Sequence, residues 1–328
     1  MKGFTLMVAA VFLCLGAAGG AQSGTHAPAV QNHHDRDDDE NGGRAESRTR
    51  TLTCGPGKTI GQAITRLKPG DTLLVRGTCN ENLAIGQDVH RITLDGQGAA
   101  TINGDSSANA VTVTGRGITI RGFVITGGSP QAISVADGGS AVIDDNTIQY
   151  AARNGIAVFR NASADIINNT IQNNPLAGIA IQSNSSARIG WVGPPNNRVS
   201  APNTIQNNGA QGVQVYRGSS AQIFSNIIQN NGSHGVIVDR NAQAEIASCT
   251  ISGNAGDGIR AMRNAGVDIG TDATGETPAF DDNTNVGTNG GYGVRCLIDG
   301  FVDGRLGAFT GTSGGKNVTE ACTDSVVP

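Results

Sequence analysis

The sequence predicts an all-β chain wound as a three-sided parallel solenoid, and three observations predict it. The first is an Ile that recurs in steps of 23 residues, at Ile102, Ile125, Ile148 and Ile171, then at Ile205, Ile228 and Ile251, with Val286 closing the series. The second is a Gly that keeps the same phase at Gly155, Gly178, Gly212, Gly235, Gly258 and Gly293. The irregular steps, 34 and 35 residues, agree between the two columns, so 11 and 12 residues are inserted into two coils of a regular winding. The third is the short period inside each repeat: apolar residues alternate with a period of two, which marks strands and not helices. One such repeat cannot bury its own apolar face, so the repeats must stack.

Taken in chain order, Lys2, an apolar run from Phe4 to Leu15 and then Ala17-Ala18-Gly19-Gly20-Ala21 read as a cleaved export signal over residues 1–23. The run is too short to span a bilayer. Leu13 before Cys14 is not the small residue a lipoprotein signal wants. Residues 24–52 are polar and charged, with His33-His34-Asp35-Arg36-Asp37-Asp38-Asp39-Glu40, and read as a disordered linker. A His/Asp tract can hold a divalent metal weakly, but a solvated spacer accounts for it. Residues 53–328 form the solenoid domain. Its N-terminal cap takes residues 53–80, its coils about 81–298 and its C-terminal cap about 299–328. In the first cap Ile60, Ile64 and Leu67 share one helical face, Pro69-Gly70 stops the helix and a strand follows. No other apolar stretch is long enough to cross a membrane.

Each coil predicts three strands. One is Gly155-Ile156-Ala157-Val158 and its equivalents at Gly178, Gly212 and Gly235. A second is Ala-x-Ile, as in Ala164/Ile166 and Ala221/Ile223, and a third is the Asn-Thr-Ile group at Asn146, Asn169 and Asn203. Seven or eight coils at roughly 4.8 Å each predict a rod of roughly 35 Å. Two polar columns stack in the turns: Asn146, Asn169, Asn203 and Asn226, with Cys249 next, and Asn174, Asn208, Asn231, Asn254 and Asn289. Asn carries donors and acceptors together, so such a column bonds coil to coil. Because these Asn follow the coil phase, the structural reading outweighs sugar or metal binding.

These coils, from about Ile102 to Cys296, resemble the right-handed parallel β-helix repeat proteins of the pectate-lyase-like superfamily. The segment Thr59-Ile60-Gly61-Gln62-Ala63-Ile64 with Pro69-Gly70-Asp71-Thr72-Leu73-Leu74-Val75 is similar to that family's N-terminal cap. The resemblance implies a single right-handed three-sided parallel β-helix with an N-terminal capping helix. It is specific for fold and unspecific for activity. Members that cleave polyuronates by β-elimination use calcium or Arg to neutralise the uronate, and Arg or Lys as the base. On that pattern the candidate catalytic residues here are Arg217, Arg240 and Arg263. Calcium enters only under this lyase reading, and the carboxylates Asp239, Glu245, Asp257 and Asp268 read as dispersed through different phases. No other cofactor and no metal site is expected. The fold's hydrolases share an Asn-Thr-Asp, paired-Asp and Gly-His-Gly pattern. This chain has Asp144-Asp145 and Asp281-Asp282, which read as turn starts, and only Ser233-His234-Gly235. The epimerases' Asp-Pro-His-Asp is absent, and a copper-assembly role finds almost no His or Met in the coils.

The net charge of −4 argues against a general nucleic-acid binder. Locally the charges sort differently. Five residues after the marking Gly stand Arg160, Ser183, Arg217, Arg240 and Arg263, and four after it stand Phe159, Gln182, Tyr216, Asp239 and Met262. Arg260 and Arg295 sit outward on the same strand. Like charges on adjacent coils cost on the order of 0.8 kcal/mol per pair in water. A solvated Arg stack is one reading. The other is an extended acidic polysaccharide, whose carboxylates pair with guanidinium while rings lie under sugar faces. The expected ligand-binding set is Arg160, Tyr216, Arg217, Asp239, Arg240, Arg260 and Arg263, with Trp191 from the first insertion. The insertions, about Gly190–Ala201 and Gly270–Asp281, leave one corner of the rod, and loops on a rigid scaffold often carry binding. Export permits disulfides. Cys54–Cys79 is expected across the capping helix and Cys296–Cys322 at the C-terminal end, with Cys249 left over. The expectation is an exported, periplasmic or secreted, monomeric rod that binds an acidic glycan. A polysaccharide lyase and a non-catalytic structural or surface rod are the alternatives.

Overall fold

The computed structural model describes residues 47–194, 197–270, 285–304 and 322. The expected export signal, most of the linker, the second insertion and most of the C-terminal cap lie outside the described residues. Within them each coil lays down three strands that pair in parallel with their like neighbours. The first face is a nine-stranded sheet running from Leu83–Ile85 to Val294–Leu297. Nine coils therefore carry it, more than the seven or eight expected. The early coils lack the marking Gly but keep the phase, with Val111 beside Ile133 and Ile133 beside Ile156. The second face stacks Ala141, Ala164, Ala187, Ala221 and Ala244 in register. The third stacks Ile102 through Ile251 and Val286. These two ladders join in one 18-stranded sheet, because Thr93–Gly104 and Ile118–Gly127 run through the corner unbroken.

Winding begins earlier than the sequence reading placed it. Thr49–Thr53, assigned in part to the disordered linker, is a strand paired in parallel with Thr72–Arg76. Thr72 in turn lies beside Thr93, and Cys79 beside Ile102, so the segment read as a cap already contributes coil strands. The cause is visible in the phase: Cys79 stands 23 residues before Ile102 and fills the Ile column with sulfur. The capping helix is one short turn, Ile60–Ile64, with Thr59 as its N-cap. The Glu81 carboxylate accepts the Ile60 and Gly61 N–H groups at 2.6 and 2.9 Å, satisfying amides that a helix start leaves open. Ile60 and Ile64 are buried and Leu67 packs against the same core.

The turns hold the coils together. Asn146 donates from its backbone N–H and its side-chain amide to Asn169 Oδ1, at 3.0 and 3.1 Å, and from the same amide to the Ile120 carbonyl at 2.9 Å. Asn169 repeats this toward Asn203, and Asn203 toward Asn226. The second column runs in the same way from Asn174 to Asn289. At Cys249 the thiol donates to the Ile223 carbonyl at 3.2 Å, replacing one amide bond of the ladder. The ladder also explains the marking Gly. A Cβ on Gly235 would meet Ile251 Cγ2 at 2.4 Å and the Asn254 amide at 3.0 Å. Both expected disulfides are present, Cys54–Cys79 and Cys296–Cys322, each with Cα atoms 5.1 Å apart.

Candidate functional site

The Arg column lies at the end of the first-face strands, in a two-residue turn with both residues left-handed. Arg160, Arg217 and Arg240 have φ of 58° and Arg263 of 54°. The following residue is Asn161, Gly218, Asn241 or Asn264, also at positive φ. The strands before these turns stack in register, Tyr216 on Asp239 and Asp239 on Met262. Arg217, Arg240 and Arg263 therefore stand on successive coils, as expected, and the left-handed backbone is the unexpected part.

The members of this file differ in what they touch. Arg160 binds Asp137 at 2.7 Å and covers the Phe159 ring at 4.4 Å. Arg217 covers the Tyr216 ring at 5.2 Å, and the Tyr216 hydroxyl bonds Gln182. Those rings lie beneath guanidinium groups, so each Arg–ring pair is a single exposed unit. Asp239 was expected to contact ligand. It is instead 5% exposed and takes both prongs of Arg263, at 2.7 and 2.6 Å, with Arg240 at 3.9 Å. Its carboxylate is engaged in holding the file together.

Trp191 is also corrected. It is 1% exposed, packs on Phe224 at 5.7 Å and is covered by Arg188 at 5.0 Å and Arg198 at 5.3 Å. The first insertion folds back as a hairpin, Trp191–Val192 against Val199–Ser200. Its ring closes a small apolar cluster with Phe224 and Ala247.

The carboxylates are not all dispersed: Glu245 lies in register with Asp268, and Asp268 with Asp303, on the second face. The paired Asp144 and Asp145 sit at a turn, Asp145 at φ 53°. The Asn168 amide donates to Asp144 at 2.9 Å.

A model of the right-handed β-helix region matches residues 109–269 and 192–301, together more than half of the chain. The chain belongs to the right-handed β-helix family. Among solved structures this β-helix protein is similar to the A-module of the Azotobacter vinelandii mannuronan C-5 epimerase AlgE4, at 15% identity and a TM-score of 0.56 over 86% of this chain and 91% of that one. It is also similar to the pectate lyase Pel9A, at 13% identity and a TM-score of 0.51 over 87% of this chain and 80% of that one. These likenesses establish the fold. A sequence search of curated proteins finds no match.

A second cluster on the first face escaped the reading of the β-helix sequence. The residue before the marking Gly is His234, Asp257 and Tyr292 on three successive coils, as the coil-to-coil bonds of those strands show. Arg260 and Arg295 stand beside them in register. The Asp257 carboxylate takes Arg260 Nε and Nη2 at 2.6 Å each and the Tyr292 N–H at 2.8 Å. His234 Nδ1 accepts the Asp257 N–H at 2.8 Å. Burial first, then the Arg260 and Arg295 charges, push the His234 pKa down to about 4 against the pull of Asp257. Arg295 covers the Tyr292 ring at 5.1 Å, and its Nε is buried with no hydrogen-bond partner among the described residues. The phase alone lines up His234, Asp257 and Tyr292 in the sequence. They were missed because the column mixes residue types.

Proposed function

We propose that this β-helix protein is exported and binds an extended acidic polysaccharide along the Arg edge of its first face. The observation that carries the reading is the file of exposed Arg217, Arg240 and Arg263 on three successive coils. Their turn position is left-handed on the other coils as well, where Asp137, Ser183 and Ile298 stand. The turn therefore does not call for Arg, and three like charges kept in one file at a cost in mutual repulsion point to use of those side chains. Arg217 and Arg240 offer exposed guanidinium groups on adjacent coils, and Arg260 with Arg295 extends the positive face inward along the strands. Each exposed ion pair with a carboxylate is worth less than about 1 kcal/mol, and a chain engaging several in register adds them. The related folds support a glycan partner: the similar structures are named as a mannuronan epimerase and a pectate lyase. The two disulfides fit an oxidising compartment, periplasmic or extracellular. Among the described residues no helix is long and apolar enough to cross a membrane.

A polysaccharide lyase is the second reading, and the cluster around Asp257 favours it. In β-elimination a base removes the C5 proton of a uronate, the C4–O bond breaks, a C4=C5 double bond forms and the departing oxygen takes a proton. Arg295 suits the uronate carboxylate, while Arg260 already holds Asp257 through Nε and Nη2. His234 suits the base less well: its Nδ1 is occupied by an N–H donor, so the neutral ring carries its proton on Nε2 and donates there. Binding therefore stands first. The test is a glycan array on the mature protein, joined to an absorbance scan for unsaturated uronate products. Binding of polyuronates without product supports the first reading, product supports the second, and neither leaves a structural rod.

A further inference from the structure

On the second face, away from the Arg edge, outward side chains line a groove of about 680 Å³. Ser186 and Ser220 stand in register along one side, with Gln222, Glu245 and Asp268 in register along the other, and Phe301 lies at one end. We propose that this groove is a second binding site, for a neutral, hydroxyl-rich glycan chain.

Three features argue for it. The first is Phe301, which is 46% exposed and whose ring lies over Gly266. A Cβ on Gly266 would come within 2.4 Å of the ring's Cζ, so the glycine is what lets the ring lie down on the sheet. An exposed ring held flat gives a sugar's C–H face an apolar surface at little cost in side-chain freedom. The second is the polar floor, which is held in place before any ligand arrives. Arg188 pairs with Asp165 through both prongs, and the Gln222 amide donates to Glu245 Oε2 at 2.9 Å. Hydroxyl, amide and carboxylate groups fixed in this way recognise hydroxyl groups, which donate to carboxylates in charge-assisted bonds. The third is the composition of the lining, which carries three carboxylates, Asp165, Glu245 and Asp268, to one guanidinium, Arg188, with Arg198 3.8 Å from Glu245. Such a lining suits hydroxyl donors better than the acidic chains assigned to the Arg edge.

The test is affinity electrophoresis of the full mature protein in gels containing a soluble β-glucan, a xyloglucan or a galactomannan, with a chelator present throughout. At least one of these neutral glycans should retard the protein. Phe301→Ala should weaken that retardation at least fivefold, as should Ser220→Lys, which lays a long side chain across the groove. Arg217→Ala/Arg240→Ala should leave it unchanged, which separates this site from the polyanion reading. The proposal is overturned if none of the three glycans retards the protein or if both groove variants behave as the parent.

Discussion

His234 is neutral because burial and two guanidinium groups hold its pKa at about 4, against 6.5 for an ordinary His. The unfolded chain therefore takes up a proton that the folded chain refuses, and stability should fall as pH drops from about 6.5 toward 4. His234→Gln, whose amide oxygen can still accept the Asp257 N–H, should flatten thermal melts across that window; an unchanged slope would show that another group titrates there. Asp239 sets a second expectation at this scale. Its side chain is 7% exposed and rests on Arg263, so Arg263→Ala should cost roughly 1–3 kcal/mol by leaving a carboxylate under-partnered. Arg217→Ala should cost less than about 0.5 kcal/mol, and denaturant melts that reverse this order would contradict the pairing. Such roles were the least legible in the sequence. Phase puts Asp239 beside the Arg file, but whether it greets a ligand or holds a neighbour is decided by rotamers across coils. Trp191 was misread for a similar reason: an insertion looks like a loop until the hairpin folds its ring onto Phe224.

At the scale of the coil most of the structure was legible, because a strict phase specifies register. Ile228 and Val236, on different faces, are both fully buried in the one core, while Gln214 faces outward and is half-buried. Ile228→Ala should cost about 2–5 kcal/mol and Gln214→Ala less than about 0.5 kcal/mol, measured by chemical denaturation. Similar losses at the two positions would mean that the faces are misassigned. Elements without the phase marks were harder to read. The coils around Leu83 and Val111 lack the marking Gly, and Thr49–Thr53 has the composition of a linker but gains its order by pairing with Thr72–Arg76. Parallel pairing is supplied by the neighbour, so a short polar strand cannot be recognised from its own residues.

The described residues wind as stacked coils with a disulfide toward each end of the winding, and the bridges join residues 25 and 26 positions apart. Removing either by Cys→Ser should lower stability by about 3 kcal/mol, read as a shift in the denaturation midpoint relative to the parent. A rod of this kind presents long faces of repeating side chains, and the fold leaves open which face works. The Arg edge was legible as a column; its left-handed backbone and its unequal partners were not. Those partners decide the design of the central experiment. Arg263 must be spared, because it holds Asp239, while Arg217 and Arg240 can be removed without exposing a buried charge. The measurement is a titration of the Arg217→Ala/Arg240→Ala variant and the parent against polygalacturonate and alginate, at low and moderate salt. The parent should bind and weaken as salt rises, and the variant should melt as the parent does but bind at least tenfold more weakly, about 1.4 kcal/mol. A variant that binds as tightly as the parent, or a parent that binds neither polyanion, would contradict this expectation and reduce the Arg column to a solvated face.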